Sequence, residues 1–399
     1  MLTGNPAAAA KAEQPASLSG LMVAFLAFCC GAVVANLYYA QPIVELIAPQ
    51  IGLSSANASL IVSLTQFGYA LGLLLLVPLA DLMENRRLVV GFTLAASVTL
   101  LCAGLTHSPS MFLVFSLLIG LTSVAVQILV PLAAHLAPEA TRGRVVGNIM
   151  SGLLLGILLS RPLSSLMVEV FGWRGVFYSA AALMAVIALI TAAALPRRVP
   201  THQATYAALI GSVFTLARRH PVLRQRSLYQ GLLFASFSLF WTLAPIELMR
   251  HHGFSQAQVA IFALVGAVGA VAAPIAGRLA DAGHGHRGTR VALLLAPASL
   301  LIAALPGSSY LWLVVCAVLL DFAVQLNMVL GQREVYAIDP HSRARLNAVY
   351  MTSIFVGGAL GSLVASPLYE HFGWNLSAAS VALLPTLALV MFLGRKANA

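Results

Sequence analysis

Runs of about 20 consecutive apolar residues, the length of helix that crosses a bilayer's hydrocarbon, recur along the whole chain. They constrain it more than any other feature. We read twelve spans, at 21–43, 59–80, 88–106, 111–136, 146–169, 176–195, 228–249, 257–280, 290–306, 310–331, 347–369 and 376–394. Of 399 residues, 60% are apolar and 9% charged, against about 25% charged in a soluble protein. Most of the chain therefore has to face lipid or other membrane helices. Pro and Gly punctuate the spans, which membrane helices tolerate. The alternation of a membrane β-barrel is absent. The expected fold class is an all-α integral membrane protein of twelve transmembrane helices.

The net charge of +10 follows from topology rather than from nucleic-acid binding. With the N-terminus inside, the inner loops hold nineteen of the twenty-two Lys and Arg, all but Arg161, Arg174 and Arg250. That asymmetry is the positive-inside rule, and it places both termini in the cytoplasm. Residues 1–18 are rich in Ala, Pro and Ser and read as a disordered cytoplasmic tail. A cleaved signal peptide is not expected, because the first apolar run is too long and no A-x-A site follows it. Cys29, Cys30, Cys102 and Cys316 all fall inside spans, where packing explains them. No metal-ligand spacing, nucleophile elbow, H-E-x-x-H or phosphate loop is present. No cofactor, metal or catalytic residue is expected, and the chain does not read as an enzyme. Paired histidines at His251-His252 and at His284 and His286 sit in loops, as solvated side chains do.

The sequence is duplicated. "GRVVGNIMSGLLLGILLSRPLSSLMVEVFGW" begins at Gly143 and "ARLNAVYMTSIFVGGALGSLVASPLYEHFGW" at Ala344. Between them Gly156 aligns with Gly357, Glu169 with Glu370, and Phe171-Gly172-Trp173 with Phe372-Gly373-Trp374. "PLADLMENRR" after span 2 likewise matches "RLADAGHGHR" after span 8, aligning Asp81 with Asp281. Six spans thus repeat as six in the same orientation, an arrangement that puts a substrate site between the halves near the midplane. The expected organisation is a tail at 1–18, an N-terminal half at 19–195, a linker at 196–226, a C-terminal half at 227–395 and a tail at 396–399. Within the linker, Tyr206, Leu209, Ile210, Val213 and Phe214 share one helical face. This predicts an amphipathic helix on the inner leaflet that tethers the halves.

With these features the chain resembles the major facilitator superfamily over about Leu21 to Arg395. The loop Val77-Pro78-Leu79-Ala80-Asp81-Leu82-Met83-Glu84-Asn85-Arg86-Arg87 resembles the family's G-x-x-x-D-R-x-G-R-R signature. Asp81, Arg86 and Arg87 carry over, while Val77 and Glu84 stand where the family has glycines. The second copy keeps Gly277 and Asp281, with Ala282 in place of the basic residue. "NLYYAQP" from Asn36 and "RARLNAVYMT" from Arg343 look like a bacterial branch of the drug-efflux-type members. The resemblance implies a bacterial inner-membrane protein whose spans 1, 4, 7 and 10 line a central cavity. Two antiporter signatures are not carried over. Ser116 stands where an Arg would precede Gly120, and the span 5 pattern survives only as Gly152, Gly156, Ser160, Arg161 and Pro162.

Polar residues deep in the spans point to the site. Arg161 is near the middle of span 5, where a charge costs roughly 2.5–3.5 kcal/mol on insertion scales. Asp321 lies at similar depth in span 10. The two are expected to form an interdomain ion pair or to bracket the cavity and share the substrate, with Arg161 alone on an anionic group as the alternative. Asn36, Tyr38, Tyr39, Gln41, Gln127, Trp241, Thr242, Gln325 and Asn327 are the expected cavity groups. An interhelical hydrogen bond is the competing role of each. Such aromatic walls with a few polar groups suit an amphipathic organic solute. Guanidinium stays charged and the histidines lie in loops or at span ends, so Asp321 is the expected carrier of a coupling proton. Asp81, with Arg86, Arg87 and the weaker counterpart Asp281, is the expected cytoplasmic gate. The expected function is a monomeric secondary transporter that exports a small organic solute in exchange for protons. A sensor on the same scaffold without net transport, or an importer, is the alternative.

Overall fold

A computed structural model describes residues 19–139, 141–200, 205–305, 309–339 and 342–396. The expected tail at 1–18 and positions 397–399 of the second tail lie outside these residues. Among the described residues every regular element is helical. In the first half α1 comprises Gly20–Ala35 and, after an irregular stretch, Val44–Gln50. Then come α2 at Leu60–Leu75, α3 at Asn85–Leu105, and α4 as Pro109–Thr122 and Val126–Leu136. The run Arg142–Ala194 breaks at Gly172 into α5 (142–171) and α6 (173–194). In the second half α7 is Pro221–His252, α8 is Gln256–Gly266 followed by Ala272–Asp281, α9 is Gly285–Ala303, and α10 is Tyr310–Ile338. The run Arg343–Val381 breaks at Gly373 into α11 (343–372) and α12, which continues through Leu383–Lys396.

Among the described residues seven helical stretches are long and apolar enough to cross a membrane. Two of them fold back and cross twice, and α1, α8 and α9 supply the remaining passes of the twelve. The duplicated Phe-Gly-Trp motif makes the two fold-back corners. Gly172 has φ 66° and Gly373 φ 68°, a left-handed conformation that costs any residue with a Cβ. The tryptophan beside each glycine then anchors the corner. Trp173 Nε1 donates to Gln50 Oε1 at 2.9 Å, and Trp374 Nε1 to the Ala303 carbonyl at 2.8 Å.

Helices α1 and α5 pack backbone to backbone, and α7 and α11 repeat the arrangement. A methyl group at Gly156 would land on the Gly31 backbone, and one at Gly357 on that of Gly231. Small residues at such crossings replace the hydrophobic effect, which does not operate between helices in lipid. Two helices extend further than their apolar runs predict. α7 starts at Pro221 and α10 reaches Ile338. Polar bonds hold these extensions beyond the hydrocarbon. Arg226 Nε donates to Glu334 Oε2 at 2.7 Å and its Nη1 to Thr289 Oγ1 at 2.9 Å, and Arg333 pairs with Asp281.

The linker carries a helix at Tyr206–Arg219, started by the Thr205 side chain, which accepts from the Ala208 amide. Leu209 and Val213 of the expected apolar face are buried, whereas Tyr206 and Phe214 are exposed. Tyr206 nevertheless ties the helix to the first half by donating to the Leu75 carbonyl at 2.7 Å.

The two halves meet at the ends of the helices remote from the termini. Ser59 and Ser366 exchange amide-to-hydroxyl bonds of 3.1 Å, and Ser63 donates to the Ala359 carbonyl at 2.7 Å. Tyr69 packs edge-on against Phe355 with centroids 4.5 Å apart. Glu169 accepts from the Ala257 amide at the start of α8 at 2.7 Å. Arg250 donates to Glu45 of the first half at 2.6 and 2.9 Å and to Glu370 of its own half at 2.8 Å. Toward the basic face, Gln127 and Pro131 of the first half and Arg343 and Asn347 of the second line a common cavity.

Candidate functional site

The irregular stretch of α1 between Ala35 and Val44 builds the site. Non-helical backbone at membrane depth is tolerated only where protein or a water-filled cavity surrounds it. Here Asn36, Tyr38, Tyr39 and Gln41 are all buried. The turn preceding Pro42 brings Gln41 to α5, where its Oε1 accepts from Arg161 Nε at 2.8 Å. Gln41 also reaches α7, donating to the Ser238 carbonyl and Thr242 Oγ1 at 3.4 Å each.

Arg161 is only 5% exposed. It is made tolerable largely by aromatic rings. Its guanidinium carbon lies 4.9 Å from the Tyr38 centroid, 5.3 Å from that of Phe237 and 4.7 Å from that of Trp241. Each desolvated cation–π contact of this kind is worth up to about 2 kcal/mol, so three of them and the Gln41 bond offset the insertion cost. One terminal nitrogen, Nη2, has no hydrogen-bond partner.

Asp321 does not close a direct ion pair with Arg161, which corrects the first form of the sequence expectation. The Trp241 indole takes that place. Its Nε1 donates to Asp321 Oδ1 at 2.7 Å while its face lies against the guanidinium. Arg161 and Asp321 belong to different halves and line one cavity of about 330 Å³. From them the cavity extends to Arg343 and Asn347 at the start of α11, on the basic face.

Of the other expected cavity residues, Tyr38, Gln127 and Gln325 line this space. Gln127 Nε2 donates to Tyr69 Oη at 3.0 Å. Gln41 and Trp241 stand directly behind the two charged residues. Asn36, Tyr39, Thr242 and Asn327 are not among the lining residues. Asn327 instead donates to Gln230 Oε1 at 2.6 Å, and Thr242 to the Ser238 carbonyl at 2.7 Å. Asn36 is buried, and neither of its amide atoms has a hydrogen-bond partner. These are helix-to-helix bonds or packing positions, because the side chains point away from the gap between the halves.

A roomier groove of about 820 Å³ runs along α1 and α5 on their other side. Exposed Phe28, Leu155, Leu159 and Leu163 line it. It is lipid-facing surface and touches none of the buried charged groups.

In the loop after α2, Asp81 is exposed and pairs with neither Arg86 nor Arg87. Those residues go to Glu84, the residue that replaces a signature glycine, with Arg87 Nε at 2.9 Å from it. Asp81 lines a separate cleft with Arg198, Arg345 and Asn347. It thus faces the start of α11 across the gap between the halves. Asp281 pairs with Arg333 within its own half.

Sequence reasoning missed Gln66, Ser238 and Phe237. Gln66 Nε2 donates to Ser238 Oγ at 2.7 Å, and that hydroxyl lies 2.6 Å from Ser362 Oγ. These bonds seal the cavity at its end remote from the termini. A buried glutamine in span 2 was a signal open to the same depth argument as Gln127. Phe237 carried no signal, since an aromatic residue in a membrane span is usually packing. Among the described residues no group of three or more His, Cys, Asp or Glu is placed to hold a metal ion.

Known proteins agree with this architecture. Along 374 residues the chain is 42% identical to an uncharacterized transporter, YgaY, of Escherichia coli, covering 93% of this chain and 95% of that one. It is 33% identical over 357 residues to a probable transporter of Streptomyces coelicolor, covering 89% and 83%. Among solved structures, a bacterial homolog of the human lysosomal transporter Spinster superposes with a TM-score of 0.74 at 16% identity, covering 93% and 95%. The nucleoside transporter NupG gives 0.74 at 14% identity, covering 93% and 99%. The model of the Major Facilitator Superfamily matches residues 23–330 and 227–398. Twelve helices in two repeated halves around a cavity between them, together with these matches, place the chain in the major facilitator superfamily of membrane transporters.

Proposed function

We propose that the protein carries a small organic solute across the bacterial inner membrane by alternating access, exporting it in exchange for protons in the manner of the drug-efflux-type branch. The observation that carries this reading is the cavity between the halves. It is sealed at one end by bonds between them and reaches the basic face at the other, with Arg161 and Asp321 at its closed end. The basic face is the cytoplasmic one in this reading, because positive loops stay inside. The conformation is then open to the cytoplasm and ready to load. Residues 196–226 tether the halves at 19–195 and 227–395, and one chain supplies both halves, so the working unit is a monomer. The test is flux of candidate solutes into liposomes containing the purified protein, with and without an imposed pH gradient. Binding without flux would instead favour a sensor.

Two switching contacts follow from this reading. Among the described residues Arg250 is the one side chain that pairs with an acid of each half, so Arg250→Gln should loosen the outer closure. The pair with Glu45 is the one that crosses between the halves, and exposed pairs contribute about 0.2–1 kcal/mol each, so an equilibrium shift of up to about fivefold toward the outward-open state is expected. Spin-label distances between Ser54→Cys and His371→Cys, both exposed, read that shift, and an unchanged distance distribution rules the lock out. Asp81 serves the opposite closure by approaching the start of α11, where helix-terminal N–H groups favour an anion. Asp81→Asn should lower transport several-fold at wild-type yield, and wild-type flux would remove the gate role.

A further inference from the structure

We propose that the solute is a zwitterion whose amine and acid groups are separated by an apolar, ring-sized spacer. This inference rests on the carrier reading above and names the chemistry that its cavity selects.

The closed end of the cavity holds one cation and one anion that are kept from neutralising each other. Arg161 comes from the first half and Asp321 from the second, and the Trp241 ring behind them meets the one with its face and the other with its N–H edge. Both charges retain bonding capacity. Arg161 Nη2 has no partner. Among the described residues only the Trp241 N–H donates to Asp321, and it uses Oδ1, so Oδ2 is left for another donor.

A singly charged solute fits this site poorly. An organic cation that approaches Asp321 is repelled by Arg161 beside it, and an organic anion that approaches Arg161 is repelled by Asp321. Like-charge juxtaposition of this kind is how a site rejects a partner. A zwitterion meets both residues with the opposite sign and leaves no uncompensated charge in a low-dielectric pocket. The acid end can take the planar fork of the guanidinium, and the ammonium end can donate to Asp321.

The same geometry sets the spacing. The guanidinium lies over the indole face, whereas the carboxylate lies at the indole N–H edge. The two charges therefore meet the indole at different places and do not touch, so a solute that pairs with both sets its amine and its acid apart. Tyr38, Tyr69, Phe234, Phe237 and Val324 line the space between and around them. That wall favours an apolar or aromatic spacer, and the cavity volume of about 330 Å³ admits one ring with its two substituents.

Three probes that share one ring test this: para-(aminomethyl)benzoate, para-methylbenzylamine and para-methylbenzoate. Binding is measured on the purified full chain and flux in liposomes. The zwitterion should bind at least about tenfold more tightly than either singly charged probe, the factor that one additional charge-assisted hydrogen bond supplies. Asp321→Asn should move the preference toward para-methylbenzoate and Arg161→Gln toward para-methylbenzylamine. Such an exchange of selectivity is something a merely structural role would not produce. If Arg161→Gln fails to fold, the Asp321→Asn result decides alone. Equal affinity for the zwitterion and a singly charged probe, no binding of any of the three, or equal weakening of all three in the variants overturns the inference. Flux of a probe without zwitterion preference overturns it while the carrier reading stands. Zwitterion binding without flux overturns the carrier reading and leaves the ligand class in place.

Discussion

Asp321→Asn is expected to reduce pH-driven uphill movement of solute to background, while downhill exchange persists at raised substrate concentration. The substitution removes the ionisable group and keeps the shape. An asparagine Oδ1 still accepts from Trp241 Nε1, a bond of 2.7 Å in the native protein, so the indole that meets both residues stays in place. Among the described residues no other acid lines the cavity. Glu45 and Glu370 are tied to Arg250, Glu334 to Arg226, and Glu247 accepts from Tyr369 Oη at 2.6 Å. With Asp321 neutral, the carrier can still rock and equilibrate its solute, but no proton accompanies the empty return. Accumulation is measured in liposomes under an imposed pH gradient and compared with counterflow of labelled solute in the absence of one. Uphill transport by the variant would assign coupling to Glu45, Glu247, Asp81 or another ion.

Arg161→Gln and Arg161→Lys are both expected to lower solute affinity and transport by on the order of a hundredfold or more, from the roughly 3–5 kcal/mol lost when one member of a buried charge pair is removed or misplaced. Glutamine leaves Asp321 without an opposite charge. Lysine keeps the charge, but an ammonium has neither the planar fork nor the flat face of a guanidinium. It therefore gives up the Gln41 bond at 2.8 Å or the stacking on Tyr38, Phe237 and Trp241, or both. Binding isotherms and initial rates check the two variants side by side. A lysine variant within about threefold of wild type would show that charge alone matters and that the fork and the aromatic cage do not.

Apolar run length determined the helices from the sequence alone, because a bilayer admits no other structure for runs of about 20 apolar residues. The duplication fixed the two halves, and its Phe-Gly-Trp motif marked both fold-back corners, where only glycine takes the left-handed turn without cost. Gly156 and Gly357 stood aligned in the duplication, and a position without a Cβ is where membrane helices can approach closely. Depth along a span singled out Arg161 and Asp321. Direction around a helix was not legible. A soluble helix reveals its buried face by polarity, but here lipid and neighbouring helices are both apolar, so the pattern does not distinguish them. Tyr38 and Gln325 reached the cavity while Tyr39 and Asn327 turned away, and only the packed structure decided between them. It also decided that an indole, rather than direct contact, joins Arg161 to Asp321. That arrangement depends on Trp241 of α7 and Gln41 of the unwound α1, which lie 200 positions apart in the chain. The outer lock of Glu45, Arg250 and Glu370 was hidden likewise, because its three charges come from three helices that meet only when the halves close.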